Sequence, residues 1–207
     1  MTPSPKARPR NTRNAHRPSA RFKPGNIRII SGQHRGRKLP VLLAEGLRPT
    51  TDRVKETLFN WLMQDIAGAK VLDMFAGAGS LGFEAISRQA AFVTMIENNI
   101  KSAAQLKQNI EVLKAKHQSE VICEDAFEAL KNKDESYDIV FIDPPFHKGF
   151  VMRAVDALLI NNSLKPGALV YIESEASFNE NLHPSLIKIK ENSTQQVNYR
   201  LYRVAEN

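Results

Sequence analysis

The feature that most restricts the fold of this 207-residue chain is an alternation. Short apolar runs around Val71, Phe92, Val121, Ile139 and Leu169 are separated by longer segments such as Leu81 to Arg88 and Ile100 to Lys116. The runs are too short for helices and rich in β-branched and aromatic residues, so they read as buried strands joined by crossovers. Repeated strand–crossover–strand units close into a parallel sheet with helices on both faces. Leu186 to Lys190 and Val197 to Val204 alternate apolar and polar positions around a polar turn, which adds a closing antiparallel hairpin. The expected class is α/β and doubly wound. Ligands in such sheets collect beyond the carboxyl ends of the strands, so the residues there are the candidates for chemistry.

The run Val71-Leu72-Asp73-Met74-Phe75-Ala76-Gly77-Ala78-Gly79-Ser80-Leu81-Gly82 contains a G-x-G-x-x-G, by itself a weak signal for a phosphate or nucleoside loop. In a dinucleotide-binding loop the helix N-terminus receives a pyrophosphate, which Asp73, ending the strand four residues before Gly77, would repel. That carboxylate favours a cation. A nucleoside ligand with an ammonium and a sulfonium but no phosphate is S-adenosylmethionine. Gly77 and Gly79 lack Cβ atoms and allow close backbone approach. Glu97 ends the run Phe92 to Ile96, twenty residues after Gly77, where a carboxylate accepts hydrogen bonds from ribose hydroxyls. Asp125, after Val121-Ile122-Cys123, stands similarly at a third strand end. Each acid alone reads equally well as an ordinary strand-end or N-cap residue. Together, with the glycine loop between the first two, they make one cleft.

Directly after the apolar run Ile139 to Ile142 comes Asp143-Pro144-Pro145-Phe146. Each proline fixes its own φ and holds the preceding residue extended, so the segment is a stiff edge of acceptors beside an aromatic face. Such an edge suits an NH2 group on a flat ring stacked on Phe146, which makes a nucleobase the expected substrate. Asp143 and the Pro144 carbonyl are the expected acceptors. His147 and Lys148 stand where a nucleotide phosphate would pass.

With these motifs the chain resembles the class I, S-adenosylmethionine-dependent methyltransferases, and more closely the RsmD family of bacterial small-subunit rRNA guanine methyltransferases. The resemblance also rests on Arg28-Ile29-Ile30-Ser31-Gly32 with Arg35-Gly36-Arg37, and on Arg48-Pro49-Thr50-Thr51-Asp52-Arg53-Val54-Lys55-Glu56-Thr57-Leu58-Phe59-Asn60, and covers about residues 26 to 204. It implies a Rossmann-like seven-stranded sheet with a small N-terminal β-hairpin extension. It also implies methyl transfer to the exocyclic 2-amino group of a guanine in 16S ribosomal RNA, guanine 966 in the family, with S-adenosyl-L-homocysteine as product. Thr50, Arg53, Phe75, Asn98 and Ala126 join Asp73, Gly77, Gly79, Glu97 and Asp125 as expected cofactor contacts. Arg28, Arg35, Arg37, Lys38, Pro145, His147 and Lys148 are the expected RNA contacts. DNA adenine and protein glutamine also present an NH2 group. A non-catalytic RNA-binding assembly factor would use the basic segment alone, and a nicotinamide oxidoreductase would leave Asp143-Pro144-Pro145-Phe146 without a role.

The net charge of +7 is unevenly spread. Residues 1 to 44 hold eleven of the 29 Lys and Arg and no Asp or Glu, leaving 18 basic against 22 acidic residues in the remainder. A basic strip at one end is the footprint of a nucleic-acid binder. Residues 1–25, Pro- and Arg-rich, read as a disordered tail, and four prolines before residue 20 argue against an amphipathic transit helix. Asn26 to Ser31 and Lys38 to Leu43 read as a hairpin with basic residues at its tip, within an RNA-contacting segment 26–48. Residues 49–207 form the expected catalytic domain, opening on a helix from an N-cap at Thr51 to about Asp65. Val54, Leu58, Trp61 and Leu62 follow helical spacing and should face the core. The lone Cys123, inside an apolar run, reads as a buried filler, and a single thiol fits a reducing cytoplasm. No stretch approaches a membrane span, and no Cys/His cluster has zinc spacing. A monomer, working on RNA within the small ribosomal subunit, is expected.

Overall fold

The computed structural model describes residues 22–44, 52–146, 148–179 and 181–206. An N-terminal pair of strands, β1 (Phe22–Arg28) and β2 (Lys38–Ala44), precedes β3 (Lys70–Asp73), β4 (Phe92–Ile96), β5 (Ser119–Ile122), β6 (Tyr137–Ile142), β7 (Leu164–Glu175), β8 (Leu186–Ser193) and β9 (Val197–Val204). The last seven form one sheet in the order β5-β4-β3-β6-β7-β9-β8. Its first five strands are parallel, and β9 and β8 close it antiparallel. The chain steps outward from β3 to β5 and then returns to the other side of β3 as β6. That reversal makes the carboxyl ends of β3 and β6 the topological switch point, the place where α/β sheets accept ligands.

Helices α1 (Asp52–Trp61), α2 (Ser80–Ser87) and α3 (Ile100–Leu113) share one core cluster that includes Leu58, Phe83 and Leu106; α4 (Ala126–Lys131) and α5 (Phe150–Ile160) share the other, with Phe127, Val155 and Leu158. The central strands are buried on both faces, which is why Ile139 to Ile142 is continuously apolar rather than alternating. Complete burial of a side chain such as Leu58 or Phe59 stabilises by about 1.5–3 kcal/mol.

The N-terminal hairpin is built into this body. Ile27, Ile29, Leu39 and Val41 belong to the same core cluster as α1, α2 and α3. Strand β1 begins at Phe22 and ends at Arg28, not at Asn26 and Ser31, so residues 22–25 are not part of a tail. The Pro- and Arg-rich composition of residues 1–25 reads as a tail, but in a two-stranded sheet both strands are edges, where a proline such as Pro24 is tolerated. Strand β2 extends one residue beyond Leu43, β8 three beyond Lys190. Helix α1 ends at Trp61 rather than Asp65, followed by turns in which Leu62 O accepts from Asp65 N–H and Ile66 N–H. Trp61, half-buried, stacks on Tyr199 with ring centroids 5.7 Å apart. Cys123 is exposed and not a filler: β5 is the outermost strand and stops at Ile122, so the thiol lies beyond the sheet. The expected tail through Arg21, and the expected cap Thr51, lie outside the described residues.

Candidate active site

Three short links hold the strand ends in register. Met74 N–H donates to Phe141 O at 3.1 Å, Ala76 N–H to Ile96 O at 2.9 Å, and Glu97 N–H to Ile122 O at 3.0 Å. They fix the tips of β3, β4, β5 and β6 as one rim. Because β3 and β6 are parallel neighbours with Asp73 paired to Phe141, Asp143 emerges two residues beyond the partner of Asp73.

Asp73 is 2% exposed and accepts the Gly82 N–H at 3.0 Å from the first turns of α2. Burial pushes its carboxyl up to about 7; the Gly82 hydrogen bond opposes this, and the negative charges of Asp143 and Glu97 add to it. Asp73 therefore feels the charges of both Asp143 and Glu97 at the strand ends. Glu97, half-buried, accepts from Asn99 N–H at 2.7 Å. Its carboxyl is also raised by burial, against the hydrogen bonds from Asn99 and Gly77. No cation offsets either carboxylate among the described residues.

The glycines divide by role. Gly77 has φ +50°, and a Cβ there would meet little but Phe75 O at 3.9 Å, so its side faces open space beside Glu97. Gly79 has φ +76°, and a Cβ would meet Phe83 at 2.5 Å and Leu106 at 2.6 Å. Gly77 thus leaves room for a ligand, and Gly79 lets the loop close onto α2 and α3.

The remaining expected residues are less uniform. Pro144 is buried, Asp143 and Phe146 half-buried, and Pro145 exposed. Asp125 does not end a strand. It is the N-cap of α4, three residues past β5, and its side chain accepts from Phe127 N–H at 3.0 Å and Glu128 N–H at 3.3 Å. A β-propensity run that included Cys123 hid this cap. Ala126 is buried in the same turn and Asn98 exposed beside Glu97. Phe75 belongs to an aromatic cluster, parallel to Phe150 at 6.2 Å and edge-on to Phe127 at 6.0 Å. Lys148 lies 5.9 Å over the Phe150 ring, and Arg53 is exposed in the first turn of α1. Thr50 and His147 lie outside the described residues. Arg28, Arg35, Arg37 and Lys38 are all exposed, on the hairpin that packs against α2 and α3 rather than on the rim itself, with Arg37 Nη1 donating to Val112 O at 3.1 Å.

Two buried charges escaped the sequence reading. Lys55 on α1, 1% exposed, and Glu84 on α2, fully buried, both bond backbone at or just beyond the end of β1. A signal was present: Lys55 precedes Phe59 and Leu62 by four and seven residues, on an apolar helical stripe where a lysine is out of place.

The model of the family described as conserved hypothetical protein 95 matches residues 27–203. Ribosomal RNA small subunit methyltransferase D of Haemophilus influenzae is 50% identical over 182 residues, covering 86% of this chain and 94% of that protein. Its Escherichia coli K12 namesake is 47% identical over 180 residues, covering 86% and 90%. A solved structure, the putative methyltransferase yhhF from Escherichia coli, superposes with a TM-score of 0.81 at 45% identity, covering 88% of this chain and all of that one. These similarities show that the chain, with its glycine loop, strand-end acids and proline-stiffened edge, belongs to the ribosomal RNA small subunit methyltransferase D family.

Proposed function

We propose that the chain transfers a methyl group from S-adenosylmethionine to the exocyclic 2-amino group of a guanine in 16S ribosomal RNA, acting as a cytoplasmic monomer on the small subunit. The observation that carries the reading is the convergence of Asp73 and Asp143 on one rim, close enough for the second charge to raise the first. The names of the relatives support an rRNA substrate. Among the described residues no helix is long and apolar enough to cross a membrane.

The site suits the donor. Two raised carboxyls without a facing cation match a ligand bearing ammonium and sulfonium charges, and the open side of Gly77 accepts its bulk. Asp73 and the Gly77–Gly79 loop would hold the amino acid end, Glu97 the ribose, and the turn at Asn98, Asp125 and Ala126 the base. When bound, S-adenosylmethionine supplies an electrophilic methyl group. The protein's own work lies on the acceptor side. A guanine 2-amino group is a weak nucleophile because its lone pair is delocalised into the ring. Asp143 and the Pro144 carbonyl accept its two N–H bonds, favour a pyramidal nitrogen and stabilise the positive charge that develops on it. Phe146 stacks on the base, which leaves its RNA stack to enter. Arg28, Arg35, Arg37 and Lys38 bind the phosphate backbone, and with it a salt-dependent affinity.

Labelled methyl transfer to small ribosomal subunits, followed by nuclease mapping of the labelled nucleotide, tests the reading. The expected product is a 2-methylamino guanine in the RNA. Label in protein or DNA, or binding of NAD in place of S-adenosylhomocysteine, rejects it.

A further inference from the structure

Helix α2 presents one face to the basic arm and another to the donor pocket. Ser80, Glu84 and Ser87, spaced i, i+4 and i+7, lie along one side; Glu84 and Ser87 engage the segment that leads out of β1 directly, and Ser80 reaches it through Lys55. Lys55, buried on α1, donates to Arg28 O at 2.6 Å and to Ser80 Oγ at 3.3 Å. Glu84 accepts from Ile30 N–H at 2.8 Å and Ser31 N–H at 3.0 Å, and pairs with Arg88 at 2.9 Å. Ser87 donates from its hydroxyl to Ser31 O at 2.5 Å and accepts there from His34 N–H at 3.0 Å, while its carbonyl takes Gln33 N–H at 2.8 Å. The approach is so close at Gly32, with φ +80°, that a Cβ would stand 1.9 Å from Ser87 O.

The other side of the same helix serves the donor pocket. Gly82 N–H holds Asp73, and Ser80 directly follows Gly79 of the glycine loop. A buried ammonium is costly unless its hydrogen bonds are satisfied, and burial lowers the Lys55 pKa despite the charges of Glu84 and Asp52. Packing alone would favour an apolar residue there. What Lys55 adds is a directed link between the backbone that carries Arg28 and the first residue of α2.

We infer that Lys55 is a positioning residue that couples the RNA-binding arm to the S-adenosylmethionine loop through Ser80, so that docked RNA tightens the donor pocket. The inference rests on the methyltransferase reading above. Coupling between two ligands is reciprocal and is read as a ratio of affinities. The test is the affinity for S-adenosylhomocysteine, measured by equilibrium titration with and without saturating small ribosomal subunits that lack the methyl group. The wild-type protein is expected to bind it about fivefold or more tightly when the particle is present, the lower end of ordinary coupling. In Lys55→Met and Ser80→Ala the two affinities become equal. Ser80→Ala removes one exchangeable hydroxyl contact and leaves the Lys55–Arg28 bond, so it carries the test should Lys55→Met fail to fold. A ratio unchanged from wild type in Ser80→Ala, or a wild-type ratio of one, overturns the inference. Failure of the wild-type protein to bind S-adenosylhomocysteine at all would reject the methyltransferase reading instead.

Discussion

The two rims of the same sheet treat their carboxylates in opposite ways. At the amino ends of β3, β6 and β7, Asp138 accepts from Lys165 Nζ and from Lys70 N–H, both at 2.8 Å, and Glu135 takes Lys133 at 2.9 Å and Lys70 at 3.2 Å. Burial pushes the Asp138 and Glu135 carboxyls up, but the hydrogen bonds and charges of those lysines together more than offset it and hold both below their ordinary range. At the carboxyl ends, Asp73 and Glu97 receive backbone N–H groups, and both are raised. One rim is electrostatically complete. At the other, no cation faces Asp73 or Glu97 among the described residues, the pattern expected where a fold gives up stability for binding.

The largest expected effect lies at the acceptor edge. Asp143→Ala should lower methyl transfer by about 100-fold or more, the usual loss when one group that stabilises developing charge is removed, while calorimetry still registers S-adenosylhomocysteine. A wild-type rate in that variant would break the contrast, because the charge at the carboxyl rim would then have no catalytic use. Next comes Asp73→Asn, which keeps an oxygen for the Gly82 N–H but removes the charge. Its affinity for S-adenosylhomocysteine should fall roughly 10- to 100-fold, the worth of a hydrogen bond to a charged group at about 1.5–3 kcal/mol. Its melting temperature at pH 8 should be no lower than wild type, since an uncompensated buried charge is gone.

The same carboxyl gives the contrast a pH signature. Its folded value is raised from 3.8 to about 7, so its stabilising contribution is present below the unfolded value and is lost as pH rises through about 7. Glu97 and Asp143, the charges facing it, act in the same direction. A ligand ammonium favours the ionised form, so S-adenosylhomocysteine affinity should increase with pH, by up to about tenfold per unit below 7. It should level off above that value. A flat profile between pH 6 and 8 would show that the ligand does not meet Asp73.

Much of this rim was readable from residue order because a buried parallel strand is a continuous apolar run, and the first charged residue after it stands at the strand's end. Asp73, Glu97 and Asp143 stand at such ends, and the glycine loop and the Asp143-Pro144-Pro145-Phe146 motif single them out. Asp125 and Cys123 were misread because β5 is a short outer strand, whose half-buried residues blur the point at which the run stops. The start of β1 was missed because the pairing that stabilises Pro24 and Gly25 comes from Val41 and Leu42, a contact invisible to local composition. Lys55 and Glu84 were missed for a related reason: charged side chains read as solvent-facing unless their partners are known, and those partners are backbone groups 27 and 54 residues away.

The smallest expected effect tests the opposite rim. Asp138→Asn removes the Lys165 ion pair and weakens the contact with Lys70 N–H, but the pair is about 40% exposed on both sides, and exposed ion pairs contribute between nothing and about 1 kcal/mol. Because its folded pKa is lowered, the contribution of Asp138 is present above its unfolded value and lost as pH falls through the folded one. The variant should therefore melt slightly below wild type at pH 7 and converge with it in acid, opposite in sign to Asp73→Asn, with methyl transfer unchanged. Equal loss of activity in Asp138→Asn and Asp73→Asn would mean that the two rims are not functionally distinct, and that the raised carboxyls follow from burial alone.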